Sequence, residues 1–377
     1  GVDGTYGRTR APDEAGPMVS PAFRSLSDDL VQVFRRGTTE PLDDAAFDDL
    51  ALQVFRYQFR ENEVYAGFCR RRGIEPDTVS RWTEVPAVPT RAFKALRLVS
   101  GPPEEVEVVF RTSGTSRGTE VRGAHHILDL RLYRESLLPN FRDHLLADGA
   151  RLPLVSLIPP PARVPDSSLS YMIGVVEEEL AADGGGWFVD PDRGLLEKEL
   201  ARALTGFQDR STPVLLVGTA FSFVHWLDAM KKDGRRFALP EGSRIMETGG
   251  FKGRSRTVSR EELHRELSES LGVSRREIVN EYGMTELLSQ FYDSHEGPHR
   301  GPPWARTRVL DPVTLDPTAV GDTGILCHHD LANLGSVAVV LTEDLGVEKD
   351  EGFRVLGRAS GAEPRGCSLA MDDLLVR

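Results

Sequence analysis

The sequence predicts an α/β chain, with a largely parallel sheet flanked by helices and a smaller β-rich region behind it. Three observations carry that expectation. Short apolar runs alternate with helical stripes from about residue 154 to residue 279, the pattern of strand–helix–strand units. Beyond Pro302-Pro303 the chain turns to short apolar triplets broken by Asp-Pro and Gly, the texture of short strands and turns. Between about residues 27 and 72, apolar side chains recur at helical spacing.

The elements follow in order. Residues 1–17 are polar, rich in Gly and charge, and lack the apolar stretch of a signal peptide. The chain opens on Gly, and Met18 is a natural start, so this stretch reads as a tag remnant or disordered leader. Leu30, Val31 and Phe34 make one helical stripe; Phe47, Leu50, Ala51, Val54 and Phe55 make another. Val108-Val109-Phe110 predicts a strand. A helical stripe then runs from His125 through Ile127, Leu130, Tyr133, Leu137, Phe141 and Leu145, with Pro139 expected to end or kink it. Residues 154–158, 214–217, 244–247 and 278–279 predict four buried strands, the first stopped by Pro159-Pro160-Pro161. Gly184-Gly185-Gly186 is too short for a linker and reads as a mobile loop over a pocket. Ser259 with Glu262 forms a capping box, Leu263, Leu267 and Leu271 line one helix face, and Gly272 closes it. Residues 308–310, 324–326 and 337–341 supply the later strands. The expected organisation is a leader over 1–17, an α/β core with a helical N-terminal segment over 18–300, and a β-rich subdomain with a C-terminal hairpin over 301–377.

Composition excludes several classes. The chain has 377 residues, 40% hydrophobic and 28% charged, ordinary for a globular protein, and no apolar run long enough to span a membrane. A net charge of −12 with no basic tract argues against nucleic acid as a partner. Three widely spaced cysteines, Cys69, Cys327 and Cys367, match a reducing cytoplasm rather than a disulfide framework. No Cys-x-x-Cys or His-x-x-x-His spacing points to structural zinc, and His125-His126 and His328-His329 are adjacent pairs without metal spacing.

The most informative stretch is Arg111-Thr-Ser-Gly-Thr-Ser-Arg-Gly-Thr-Glu120. Within it, Thr112, Ser113, Thr115 and Ser116 crowd together with Gly114, Arg117 and Gly118. Glycines let backbone N–H groups approach an anion, and small hydroxyls add donors. A loop between a strand and a helix is a common phosphate site. No Lys-Ser or Lys-Thr follows Gly118, so this is not a P-loop; an ordinary surface loop is the other reading. Three further motifs follow: Glu281-Tyr282-Gly283-Met284-Thr285-Glu286, Thr342-Glu343-Asp344-Leu345-Gly346 and Gly357-Arg358-Ala359-Ser360-Gly361.

In order and spacing these motifs resemble the adenylate-forming superfamily of acyl-CoA synthetases. Within it the chain is similar to the acyl-protein synthetases of the LuxE type, from about Phe34 onward. Phe55-Arg56-Tyr57-Gln58, Asn62-Glu63-Val64-Tyr65, Val85-Pro86-Ala87-Val88-Pro89, Phe93-Lys94 and residues 361–368 carry the closer likeness. The resemblance implies the adenylation large-domain fold without the full mobile C-terminal domain. It implies ATP and Mg²⁺, a carboxylic acid substrate, and an acyl-acceptor protein or small molecule. Thr112, Ser113, Gly114, Thr115, Ser116 and Gly118 would embrace the β- and γ-phosphates. Thr285 would contact the α-phosphate and Glu286 would ligate Mg²⁺. Tyr282, between Glu281 and Gly283, would stack on adenine, with Gly249-Gly250-Phe251 as the opposite wall. Asp344 would accept from both ribose hydroxyls, and Arg358 would reach the ribose or phosphate. Cys367, in Gly366-Cys367-Ser368, would take the acyl group as a thioester, because a thiolate attacks an acyl-adenylate readily.

Alternatives stay open at this level. Cys367 is equally a buried structural cysteine, and Tyr282 a packed aromatic. Glu286, Asp344 and Arg358 can be read as solvated charges. Lys252, Arg117 or Arg358 would supply the positive charge that larger relatives carry on a C-terminal-domain lysine; Lys252 is otherwise a turn lysine. His125 or His126 would approach the acyl carboxylate. Phe221, Phe223, Trp226 and Met284 are candidate acyl-pocket residues. The chain departs from its relatives at Arg117, where Gly is usual, at Glu120 and Arg122 beyond it, and at Pro364-Arg365, where Ile-Lys is common. A truncated acyl- or aryl-CoA ligase using coenzyme A, and a non-catalytic nucleotide-binding subunit, are the competing functions.

Overall fold

The computed structural model describes residues 19–113, 121–249, 258–293, 297–359 and 365–375. Three helices open it: α1 (Pro21–Arg35), α2 (Asp44–Glu61) and α3 (Glu63–Arg71). A short strand β1 (Val88–Pro89) and a helical turn α4 (Ala92–Ala95) follow. Next come the paired strands β2 (Val108–Arg111) and β3 (Ala124–Ile127), then α5 (Leu130–Leu145). Strands and helices then alternate: β4 (Pro153–Leu157), α6 (Ser168–Leu180), β5 (Ala182–Trp187), the small pair β6 (Val189–Asp190) and β7 (Gly194–Leu195), and α7 (Glu197–Asp209). They continue through β8 (Leu215–Thr219), α8 (Ala220–Lys232), β9 (Arg244–Thr248), α9 (Arg260–Leu271), β10 (Ile278–Tyr282) and β11 (Phe291–Tyr292). The last elements are β12 (Ala305–Leu310), β13 (Thr323–Asp330), β14 (Val339–Lys349), β15 (Gly352–Arg358) and α10 (Arg365–Leu375).

Two sheets dominate. One has the order β11-β10-β9-β8-β4-β5, parallel except at β11. Its central strands are apolar on both faces because helices cover both. Leu154, Leu215, Val217, Met246 and Val279 face the core shared with α1, α5 and α6. Val155, Leu157, Leu216, Ile245 and Ile278 face α7, α8 and α9. The other sheet joins β12, β13, β14 and β15 antiparallel, and β1 adds to β14 in parallel. The Val85–Pro89 motif thus ties the helical N-terminus to the C-terminal strands, and the Tyr65 hydroxyl donates to Pro86 O at 2.8 Å.

The four predicted core strands and α9 form where expected. Ser259 Oγ accepts from Glu262 N at 3.1 Å, and Gly272 takes the left-handed conformation, φ 67°. Three expectations are corrected. His125, His126 and Ile127 lie in β3, paired with Phe110, Val109 and Val108, and the helix begins only after Asp129 caps it. Pro139 does not end α5, which continues to Leu145 because its buried face packs on α1 and α6. Gly184-Gly185-Gly186 is strand, the edge of the parallel sheet; Gly185 lies so close to the Leu154 backbone that a Cβ has no room. Phe223 and Trp226 are core residues at 0% and 2% exposure, in the cluster of α7, α8 and α9.

Leu267 is fully buried between α9 and the sheet. Leu267→Ala is expected to cost about 2–5 kcal/mol in urea unfolding, with the cooperative transition retained.

Candidate active site

Strands β8, β9 and β10 end together, and ligands of parallel α/β sheets bind beyond such carboxyl ends. The last two residues of β9, and the two residues before Tyr282 at the end of β10, are polar and pair across the strands: Glu247 with Asn280, Thr248 with Glu281. Strand alternation sends the two pairs to opposite faces. Toward α9, Asn280 Nδ2 donates to Glu247 Oε1 at 2.6 Å and His264 Nε2 donates to the same oxygen at 3.0 Å. Toward α5, Thr248 Oγ1 donates to Glu281 Oε2. Burial pushes the Glu281 carboxyl up to about 7; the Thr248 bond opposes that rise and the Glu247 charge adds to it. Gly249, the next residue, has φ 79°, which a side chain adopts only with strain.

Beyond Tyr282 the chain forms a turn. A Cβ on Gly283 would collide with Glu281 Oε1, so the turn depends on glycine there. Thr285 is half-buried and Glu286 is buried. Three buried side chains hold this segment from below. Gln58 donates to Asn333 O at 2.8 Å and Leu334 O at 3.1 Å, which explains that glutamine in Phe55-Arg56-Tyr57-Gln58. Asn333 Nδ2 donates to Glu286 O at 2.8 Å. Asp330 accepts from Leu288 N and Ser289 N, each at 2.8 Å, from Ser289 Oγ at 2.6 Å and from Ala332 N at 3.1 Å.

The hydroxyl-rich segment joins β2 to β3, not a strand to a helix. Its stem is fastened: Thr112 N donates to Gly123 O at 2.9 Å and Gly123 N to Thr112 Oγ1 at 2.8 Å. Arg122, one of the departures from the family pattern, braces it by donating to Thr112 O at 2.6 Å and Asp166 Oδ2 at 2.7 Å. The next strand binds this stem to the turn. His125 Nδ1 donates to Thr285 O at 2.7 Å, and burial lowers His125 to about 4. A neutral ring donating to a carbonyl carries its proton on Nδ1. His125 therefore props the Thr285 backbone.

The antiparallel sheet supplies the other wall. Tyr282 Oη donates to Asp344 Oδ2 at 2.7 Å. Arg358 lies across the strands from Asp344, its Nε 3.7 Å from Oδ1 and its side chain 76% exposed. Burial raises the Asp344 carboxyl, against the lowering effect of the Tyr282 bond. The Tyr282 ring packs among Phe291, His299, His328 and Phe353. Cys367 occupies the first turn of α10, 2% exposed, with Sγ 3.8 Å from Thr342 O, two residues before Asp344.

Thr112, Ser113, Gly249, Glu281, Tyr282, Gly283, Thr285, Glu286, Asp344, Arg358 and Cys367 lie on elements that these bonds link or flank. Gly114, Thr115, Ser116, Arg117, Gly118, Gly250, Phe251 and Lys252 fall outside the described residues. Sequence reasoning missed Thr248, Arg122, His125 as a prop for Thr285, and His328 behind Tyr282. A polar residue ending an apolar strand was the available signal for Thr248.

Glu281 generates a pH expectation. Its folded pKa, about 7, lies above the ~4.3 of an unfolded chain. Its contribution to stability is complete below the lower value and is lost as pH rises through 7. Glu281→Gln is therefore expected to flatten the decline in unfolding free energy between pH 5 and 8, by on the order of 1–3 kcal/mol. Parallel wild-type and variant curves would contradict this.

The chain is 26% identical over 346 residues to a long-chain-fatty-acid–luciferin-component ligase of Aliivibrio fischeri, covering 88% of this chain and 89% of that protein. It is 26% identical over 330 residues to the protein of that name from Vibrio harveyi, covering 84% and 85%. Its fold is similar to an open conformation of 2-hydroxyisobutyryl-CoA ligase, with a TM-score of 0.62 and 17% identity over 86% of this chain and 77% of that one. The family model described as acyl-protein synthetase, LuxE, matches residues 36–376, and the chain belongs to that family.

Proposed function

We propose that the protein uses ATP and Mg²⁺ to convert an apolar carboxylic acid to acyl-AMP, then moves the acyl group to Cys367 as a thioester and on to an acceptor. The observation that carries this reading is the meeting of three distant segments beyond β9 and β10. The stem of the hydroxyl-rich loop reaches Thr285 through His125, and Tyr282 reaches Asp344. In the first step an acid oxygen attacks the α-phosphorus and pyrophosphate leaves. In the second the Cys367 sulfur attacks the acyl carbon and AMP leaves.

Residues 112–118 would cradle the β- and γ-phosphates, Thr285 would bind the α-phosphate, and Asp344 would take the ribose. Tyr282, with Glu281 and Gly283 around it, and Gly249-Gly250 would bound the adenine. Lys252, Arg117 or Arg358 would offset charge developing on the phosphates. No group of three or more metal-ligating side chains occurs among the described residues. Glu286 alone suits an ion carried in largely by phosphate oxygens, as Mg²⁺ is. The relatives' names specify a long-chain fatty acid, and we carry that class over to this chain, with a protein as final acceptor and the cytoplasm as location. No helix among the described residues is long and apolar enough to cross a membrane.

Cys367 at 2% exposure has a direct consequence. The thiol cannot meet an acyl-adenylate until the first turn of α10 shifts from Thr342. The same burial favours a second reading, direct transfer to coenzyme A with Cys367 structural.

Acid-dependent exchange of labelled pyrophosphate into ATP tests the first step. We expect exchange with fatty acids, and a fall of roughly 10- to 100-fold in kcat/KM for Thr285→Ala or Asp344→Ala, each losing charge-assisted contacts. Cys367→Ala should still exchange, because the thiol acts later. The absence of exchange with every acid would remove the proposal; AMP release driven by coenzyme A equally in wild type and Cys367→Ala would select the second reading.

A further inference from the structure

The His328-His329 pair has no part in the reading above, yet His328 stands directly behind the nucleotide wall. It is 0% exposed on β13. Its Nδ1 lies 2.8 Å from Oγ1 of Thr307, its partner across the strands on β12. Its Nε2 lies 3.2 Å from Tyr282 Oη, which in turn lies 2.7 Å from Asp344 Oδ2.

The direction of this chain is fixed by chemistry. An ionised carboxylate only accepts, so Tyr282 spends its one proton on Asp344. The phenol oxygen then accepts, which places the imidazole proton on Nε2. A neutral ring has one proton, so Nδ1 accepts from the Thr307 hydroxyl. Burial keeps His328 neutral, lowering it to about 3. Each donor finds one acceptor, and the chain ends on the carboxylate. Hydrogen bonds in series strengthen one another away from water.

We propose that His328 is a positioning residue for the nucleotide: through Tyr282 it locks Asp344 with Oδ2 engaged, leaving the Oδ1 edge to a ribose hydroxyl. The inference rests on Asp344 as the ribose acid. Without His328, Tyr282 loses the donor that orients its hydroxyl, and Asp344 turns more freely.

The test compares wild type, His328→Phe, His328→Gln and Thr307→Val in acid-dependent pyrophosphate exchange, after melting curves show that each is folded. His328→Phe keeps a ring and loses the donor; Gln restores an amide donor near Nε2. KM for ATP is expected to rise roughly tenfold in His328→Phe and about threefold in Thr307→Val, the scale of a lost charge-linked hydrogen bond. KM for the acid should stay fixed, and Gln should recover most of the loss. With 2′,3′-dideoxy-ATP the wild-type and Phe values should converge, because no hydroxyl remains for Asp344. On a Tyr282→Phe background the His328 change should add nothing. A rise that is equal for ATP and dideoxy-ATP, that extends to the acid, or that Gln does not reduce would overturn the proposal. If wild type exchanges with no acid, the adenylation reading fails by itself. The same variants are then compared by calorimetric Kd for ATP and dideoxy-ATP, where equal Kd across the series overturns the His328 inference.

Discussion

Asp330 accepts four hydrogen bonds in an interior where none of its surface meets water. A buried carboxylate is tolerated only when its oxygens are filled. Here they are filled by the backbone of the segment that follows Thr285 and Glu286, and by the turn beyond β13. The parallel sheet's last loop is thus fastened to the antiparallel sheet. Ser289, one of the donors, also meets Ser136 of α5, and Ser136 accepts from the fully buried Trp304. The two sheets consequently hold one another at fixed distance, and the Tyr282–Asp344 bond across them depends on that spacing.

Much of the fold was legible because parallel strands covered on both faces must be apolar at every position. Residues 214–217, Val-Leu-Leu-Val, read so clearly for that reason; in β9 only Ile245 and Met246 carry the signal. Ser259 and Gly272 announced α9 through the chemistry of helix ends. His125 to Ile127 misled because a strand leading into a helix continues the apolar spacing without a break. Pro139 does not end α5 because burial on two neighbouring helices outweighs a single lost hydrogen bond. The site was legible as ordered motifs, but its geometry was not. His125 and Thr285 are 160 residues apart, and Tyr282 and Asp344 are 62 apart. No local pattern encodes contacts at that separation. Phe223 and Trp226 had the composition of a ligand pocket, and the same composition serves a helix–sheet core.

If Cys367 takes the acyl group as proposed, its position sets the order of events. Its sulfur is sequestered beside Thr342, on the strand that carries Asp344. With Asp344 as the proposed ribose acid, nucleotide and thiol would be near in the fold while the thiol is shielded. Premature attack, and loss of the thiol to oxidants, are both limited by exclusion from solvent. Gly366 enforces the approach: its N–H donates to Pro312 O at 2.9 Å, and a Cβ there would meet Leu315 at 2.6 Å. The first turn of α10 is thereby held against the β12–β13 connection, and releasing it opens the thiol.

The most direct measurement is the intact mass of the protein after incubation with Mg-ATP and long-chain fatty acids, in wild type and in Cys367→Ala. The account predicts a gain of one acyl group in the wild type, removed by hydroxylamine and absent from the variant. No gain with any acid, or the same gain in both proteins, would contradict it.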